Sequence, residues 1–111
     1  MSWDIELCDP VSGAPLDLGA VHQMSGGTIC IGGTSLAELN VTYNYGKHFN
    51  FSALDGKTAT ESMDTLHEAA NRLGNDVNAD YWIPTEGNVK RAIKQLLAFA
   101  QLRPDGIWKV I

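Results

Sequence analysis

Apolar and polar positions alternate along two segments of the N-terminal half, residues 3–8 and residues 38–45. Successive side chains of a strand point to opposite faces of a sheet, so this period predicts two strands with one buried face each. Between two copies of Gly-Gly-Thr, residues 26–34 contain a short β-prone run that predicts another strand. Residues 14–24 have uneven spacing and fit either a weak strand or an ordered loop.

The second half of the chain shows the period of amphipathic helices. Thr58-Ala59-Thr60-Glu61 is a capping box, and apolar residues then recur at spacings of three and four up to Gly74, which we expect to end the helix in the left-handed conformation. A threonine at position 85 can cap a second helix with a wide apolar stripe. The pattern therefore predicts helices at about 58–73 and 85–102, followed by a short C-terminal strand.

This order of elements defines an α+β fold. We expect an antiparallel β-meander of three to four strands in the N-terminal half, covered on one face by the two helices. Trp82 and Trp108 are expected to pack in the core. A chain of 111 residues is the usual size of one domain, so residues 1–111 are expected to form a single domain.

The charge of the chain is unevenly distributed. Its net charge is −5, and residues 1–46 contain five acidic residues but no lysine or arginine. Binding to nucleic acid needs a broad basic surface, so we expect none. The apolar runs are too short to cross a membrane, and residues 1–6 do not resemble a secretion signal, which favours the cytoplasm. In that compartment Cys8 and Cys30 are expected to remain thiols.

Motifs that carry chemistry are incomplete in this sequence. Asp55-Gly56-Lys57-Thr58 ends like a phosphate-binding loop, but Phe51 stands where that motif needs its first glycine. His67-Glu68 begins like a zinc-protease helix, but Asn71 replaces the second histidine. These departures favour a non-catalytic protein without a cofactor.

A metal site remains an alternative interpretation. The three histidines of the chain are His22, His48 and His67. They do not have the short paired spacings of zinc modules, so only folding could bring them together. If they converged, a small metal-dependent or Cys/His hydrolase would be the alternative function.

Two adjoining segments offer side chains for recognition. The polar side of the second predicted strand and the loop that follows it provide amides, a cation and aromatic rings that can anchor a partner. The candidate binding residues are Asn40, Thr42, Asn44, Lys47, His48, Phe49 and Phe51. The polar strand residues could instead bond neighbouring strands and solvent.

Four short motifs are similar to a known group of proteins. They read Glu-Leu-Asn-Val-Thr-Tyr-Asn-Tyr at 38–45, Leu-Asp-Gly-Lys-Thr at 54–58, Gly-Asn at 87–88 and Pro-Asp-Gly-Ile-Trp at 104–108. Over residues 36–111 the chain thereby resembles small bacterial and phage-associated proteins to which no activity is assigned. The resemblance implies a cytosolic origin and supplies no catalytic residues.

The function expected from the sequence is a non-catalytic interaction or accessory module with a protein partner, such as one belonging to a phage or another mobile element. The absence of a complete catalytic set is the main reason. A further hypothesis is an acidic DNA mimic that uses Asp4, Glu6, Asp9 and Glu38. The sequence leaves the strand order and the oligomeric state open.

Overall fold

A computed structural model describes residues 1–22 and 34–111 of the chain. Its strands are β1 (Ser2–Cys8), β2 (Asp17–His22), β3 (Thr34–Leu36), β4 (Glu38–Thr42) and β5 (Ile107–Val110), and its α-helices are α1 (Ala59–Arg72) and α2 (Glu86–Leu102). The predicted α+β class and both predicted helices are confirmed. The strand predicted within 26–34 falls, except for its last residue, outside the described residues.

The strand order places β1 at the centre of an antiparallel sheet with the order β4-β1-β5. Ile5 of β1 lies opposite Leu39 of β4 on one side and Val110 of β5 on the other. Strands β2 and β3 form a separate antiparallel pair. The order departs from a simple meander because both neighbours of β1 in the sheet are distant from it in sequence. Strand β1 carries the fully buried Ile5 and Leu7.

The outer edge of β5 is covered by the chain that precedes α1. The Gly56 amide donates to the Trp108 carbonyl at 2.9 Å, and the Trp108 amide donates to the Lys57 carbonyl at 2.9 Å. Gly56 has a φ of 82°, which glycine adopts without the steric cost of a side chain. The segment that ends like a phosphate-binding loop is therefore a turn that pairs with β5 and leads into α1.

Helix α1 begins as predicted and ends differently. The Thr58 hydroxyl accepts from the Glu61 amide at 3.1 Å, and the Glu61 carboxylate accepts from the Thr58 amide at 3.1 Å, so the capping box is confirmed. The left-handed ending at Gly74 is wrong, because the chain leaves the helix through an extended Leu73. The Gly74 amide instead donates to the Glu86 carboxylate at 2.9 Å, which ties the end of α1 to the start of α2.

The core lies between the sheet and the two helices. Trp108 of β5 is buried there, and its indole N–H donates to the Ser62 hydroxyl of α1 at 2.7 Å. The core placement of Trp108 is thus confirmed. Trp82 is 47% exposed, so the same prediction is wrong for that residue.

The strand predicted for 38–45 ends early, at Thr42, and a 3₁₀ helix spans Tyr43–Lys47. The Thr42 hydroxyl accepts from the Asn44 amide at 3.3 Å and caps this short helix. Tyr45 turns inward and is fully buried, with its hydroxyl donating to the Tyr81 carbonyl at 2.6 Å. Because this ring is buried against a loop that is distant in sequence, the strand ends although the alternation of apolar and polar residues continues.

Within residues 1–22 and 34–111, no helix combines the length and the apolar character that crossing a bilayer requires.

Candidate interaction surface

The connection between α1 and α2 is organised by one buried amide, that of Asn88 in the first turn of α2. Its Nδ2 lies 3.1 Å from the Asn78 carbonyl oxygen and 3.0 Å from the Ile83 carbonyl oxygen, with the Asp80 carbonyl oxygen at 3.3 Å. Its Oδ1 accepts from the Asn78 amide at 3.1 Å. Asn88 therefore holds both ends of residues 78–83 against the helix.

Short-range hydrogen bonds fix the same loop from within. The Asn78 side chain accepts from the Asp80 amide at 2.8 Å, and the Asp80 carboxylate accepts from the Trp82 amide at 3.0 Å. Such turns form when a short polar side chain bonds the backbone two residues further on. The backbone is thereby fixed while the side chains of Trp82 and Ile83 stay 47% and 42% exposed.

Tyr81 joins this loop to the end of β4. Its hydroxyl accepts from the Thr42 amide at 2.6 Å, and its carbonyl accepts from the Tyr45 hydroxyl at 2.6 Å. Burial raises the pKa of Tyr81 to about 12 and also raises the pKa of Tyr45 above its ordinary value. Both phenols therefore stay neutral at physiological pH and keep these hydrogen bonds.

The exposed residues of the loop adjoin the 3₁₀ helix that follows β4. The Asn44 side chain donates to the Trp82 carbonyl at 3.0 Å, and the neighbouring Tyr43 is 43% exposed. The ring of Tyr43 meets Trp3 edge to face at 4.7 Å between centroids. We call Tyr43, Asn44, Trp82 and Ile83 the aromatic patch.

Residues 47–51 were predicted to form a contact surface, and the structure divides them. Nε2 of His48 donates to the Pro84 carbonyl at 3.1 Å, next to the aromatic patch, and Lys47 is exposed. Phe49 is half-buried, with its ring 4.9 Å from that of Phe51. Phe51 is fully buried and packs in the core, so its assignment as a contact residue is wrong.

The polar side chains of β4 make hydrogen bonds within the protein. The Asn40 side chain donates to the Asp4 carboxylate at 2.7 Å and to the Ser2 hydroxyl at 2.9 Å, both on the neighbouring β1. Thr42 is buried and caps the 3₁₀ helix. Asn40 therefore follows the alternative interpretation of cross-strand bonding, whereas Thr42 bonds the backbone that follows β4 and Asn44 belongs to the aromatic patch.

Within the described residues, the side chains that the hydrolase alternative needs are not brought together. His48 is bonded to Pro84, His67 is exposed on α1, and the His22 side chain is outside the described part. No group of three histidine, cysteine or acidic side chains suited to a metal lies within 1–22 and 34–111. Burial, with the nearby Glu6, raises the pKa of the free Cys8 thiol, which makes it a weak nucleophile.

The acids of the DNA-mimic hypothesis are not arranged as one continuous row. Glu6 lies opposite Glu38 across one strand pair and opposite Lys109 across the other. Asp9 is used in a turn, where its carboxylate accepts from the Val11 and Ser12 amides and these bonds lower its pKa. The positive charge of Lys109 and the role of Asp9 both reduce the likeness to a phosphate backbone.

Sequence reasoning missed three residues of the aromatic patch, Tyr43, Trp82 and Ile83, and the buried Asn88 that holds its loop. A signal was present for Trp82, Ile83 and Asn88. The apolar group at 81–83 precedes Pro84 in a loop, where large side chains are often displayed, and Asn88 lies four residues before Ala92 on the apolar stripe of α2. A polar residue on such a stripe indicates a buried hydrogen-bonding role.

A scan against protein-family models, a search of curated proteins and a search of solved structures each found no match to this chain.

Proposed function

We propose that this chain is a small non-catalytic interaction module that binds a protein partner through the aromatic patch. The observation that carries the proposal is the exposure of Trp82 and Ile83 on a loop held by the buried Asn88. Burying an amide costs free energy unless every bond is made, and here those bonds fix the loop backbone beneath two exposed apolar side chains.

Rigid aromatic anchors are well suited to protein recognition. Tryptophan and tyrosine are enriched among the residues that dominate binding energy, and a fixed loop loses little conformational entropy on binding. Lys47 and His48 lie beside the patch through the contact of His48 with Pro84, which supplies the polar rim that such interfaces usually have. The sequence pattern indicated a recognition surface near residues 40–51. The surface proposed here consists of residues 43–48 and 82–83.

The wider setting of the proposal follows the sequence. The resemblance over residues 36–111 supports an accessory role in a phage or another mobile element, and a free thiol at Cys8 is compatible with the cytoplasm.

The test compares two surface substitutions in a search for the partner. Wild-type protein and the variants Trp82→Ser and Leu102→Ser are immobilised and exposed to an extract of the producing cells under cross-linking conditions. Leu102 is the matched control, because it is an apolar residue that is 64% exposed at the other end of α2. We expect one protein to be retained by the wild type and by Leu102→Ser but lost with Trp82→Ser.

The retained protein is then purified and titrated against each variant. Truncation of a central anchor costs about 2 kcal/mol or more, so Trp82→Ser should weaken the dissociation constant at least about thirtyfold. Equal binding by Trp82→Ser and Leu102→Ser, or retention of no protein by the wild type, would contradict the proposal.

A further inference from the structure

A shallow depression lies between the start of α2 and the chain that leaves α1. It has a volume of about 230 Å³. Its lining residues are Asn75, Val77, Gly87, Lys90, Arg91 and Lys94. Three of these side chains are cationic and none is acidic, in a protein whose net charge is −5. We call this feature the basic depression.

The cations of the basic depression are not neutralised by ion pairs. Across the described ranges the single ion pair joins Arg103 and Asp105, so Arg91 and Lys94 have no carboxylate partner. Lys90 is fixed in place by its Nζ, which donates to the Asn75 side chain at 2.9 Å and to the Leu73 carbonyl at 3.3 Å. An incoming anion would therefore meet one positioned ammonium group and two free cationic side chains.

The backbone beneath the basic depression is already formed. The Gly87 amide donates to the Asp76 carbonyl at 3.0 Å, and a Cβ at Gly87 would stand only 2.5 Å from that oxygen. The Asn88 amide is used by Thr85. Because these first-turn amides of α2 have partners, charge recognition at this place depends on side chains.

The basic depression and the aromatic patch share the segment that connects α1 to α2. Asn75 and Val77 of this segment line the depression, and Trp82 and Ile83 further along it belong to the patch. Arg91 lies near enough to the Tyr45 phenol to influence its pKa, and that phenol bonds the Tyr81 carbonyl. One bound partner could therefore cover both features.

We infer that the basic depression binds a carboxylate-rich peptide segment of the protein partner, with an apolar side chain of that segment resting on the exposed Val77. This inference rests on the proposed function. A peptide carries few charges and can be matched by three cations, whereas nucleic acid would require a wider basic surface than this acidic protein provides. Attraction between complementary charges also favours the encounter of the two proteins.

The test uses a blocked hexapeptide probe, Glu-Glu-Leu-Glu-Glu-Leu, and its counterpart with glutamine in place of each glutamate. Binding is followed by the amide resonances of the ¹⁵N-labelled full chain at low ionic strength. We expect saturable shifts at Gly87, Lys90, Arg91 and Lys94 with the acidic probe, reduced by added salt, and none with the glutamine probe.

Variants with matched changes in charge identify the site. Lys94→Glu should weaken the apparent dissociation constant of the acidic probe about tenfold. Lys57→Glu changes the net charge equally but lies in the turn before α1, so it should have less than about a twofold effect. Equal weakening by both variants, equal shifts with the glutamine probe, or tighter binding of an oligothymidylate with the same sensitivity to Lys94→Glu would each overturn the inference.

Failure of this inference is distinguishable from failure of the proposed function. Trp82→Ser should leave binding of the acidic probe within about twofold, since the probe is held by its carboxylates and by contact with Val77, and Trp82 does not line the basic depression. A partner that requires Trp82 but is indifferent to Lys94→Glu would refute the acidic-peptide site and leave the proposed function standing. Binding of the probe at Lys94, with no partner that requires Trp82, would refute the proposed function and leave the acidic-peptide site standing.

Discussion

Replacing Asn88 by alanine tests whether one buried amide holds the loop that carries the aromatic patch. The substitution removes the acceptor of the Asn78 amide and the donor for the carbonyls of Asn78, Asp80 and Ile83. Asn88 is itself fully buried, so alanine at this position leaves these loop groups without a partner on α2. The loop should therefore detach from α2 before the rest of the domain unfolds.

The expected cost follows from the number of bonds. The amide group of one asparagine has two donor hydrogens and one acceptor oxygen, so it makes about three effective bonds to the loop. At about 1 kcal/mol each, the loss is about 3 kcal/mol, offset by about 0.5 kcal/mol because alanine favours a helix more than asparagine does. The net destabilisation should be about 2–3 kcal/mol, and against a total of about 5–15 kcal/mol the variant should still fold.

Urea unfolding and hydrogen exchange measure the two parts of this prediction. The free energy of unfolding should fall by about 2–3 kcal/mol, which corresponds to about 2 M in the urea midpoint for a domain of this size. Exchange of the Asn78 and Trp82 amides should accelerate more than exchange of the Leu96 amide. Asn71→Ala is the control, because Asn71 is exposed on α1 and its replacement should leave stability almost unchanged.

The variant Asn88→Asp adds a dependence on pH with a definite sign. A buried carboxyl group that faces carbonyl oxygens has a pKa above its unfolded value of about 3.9, because desolvation and the acceptors disfavour its charged form. Its contribution to stability is complete below that unfolded pKa and is lost as pH rises through the folded pKa. Asn88→Asp should therefore lose stability relative to wild type between about pH 4 and pH 7.

An Asn88→Ala variant with unchanged stability and unchanged loop exchange would refute the reasoning.

Four further substitutions test three contacts within the fold. Ser62→Ala removes the acceptor of the buried Trp108 indole and should lower the free energy of unfolding by about 1–3 kcal/mol in urea titrations, whereas a neutral effect would mean that another acceptor replaces the hydroxyl. Thr58→Ala removes half of the capping box and should cost about 1 kcal/mol, while Glu61→Gln should retain most of the cap; similar losses in both would contradict the assigned geometry. Because the pKa of Tyr81 is raised to about 12, stability should be complete below about pH 10 and fall as pH rises towards 12, with a shallower fall in Tyr81→Phe; equal pH profiles of the two proteins would exclude this cause.

Local patterns predicted the elements whose structure depends on neighbouring residues. Period two at 3–8 predicted β1, and the two apolar stripes predicted α1 and α2 to within a residue or two at each end. The caps at Thr58 and Thr85 were also predictable, because each bonds an amide only three residues away. Such interactions are specified by residues that are close in sequence, so they can be recognised without knowing the fold.

Long-range packing decided what the sequence could not. The period of 38–45 continues to Tyr45, but the strand ends at Thr42 because Tyr45 is buried against Tyr81, which lies 36 residues further along the chain. Trp82 was predicted to be buried and Phe51 to be exposed, and the structure shows the opposite. Both are large apolar residues outside the strands and α-helices, and only their tertiary neighbours distinguish them.

The position of the candidate site was decided at the same level. The sequence by itself determined a set of strands and helices with one apolar face each, and it indicated residues 40–51 as a recognition segment. Only the tertiary structure placed Trp82 beside Asn44 and seated residues 78–83 on Asn88. The physical reason is that a hydrophobic period fixes which face of an element is buried, whereas the partner of a polar side chain depends on distances that exist only after the chain has folded.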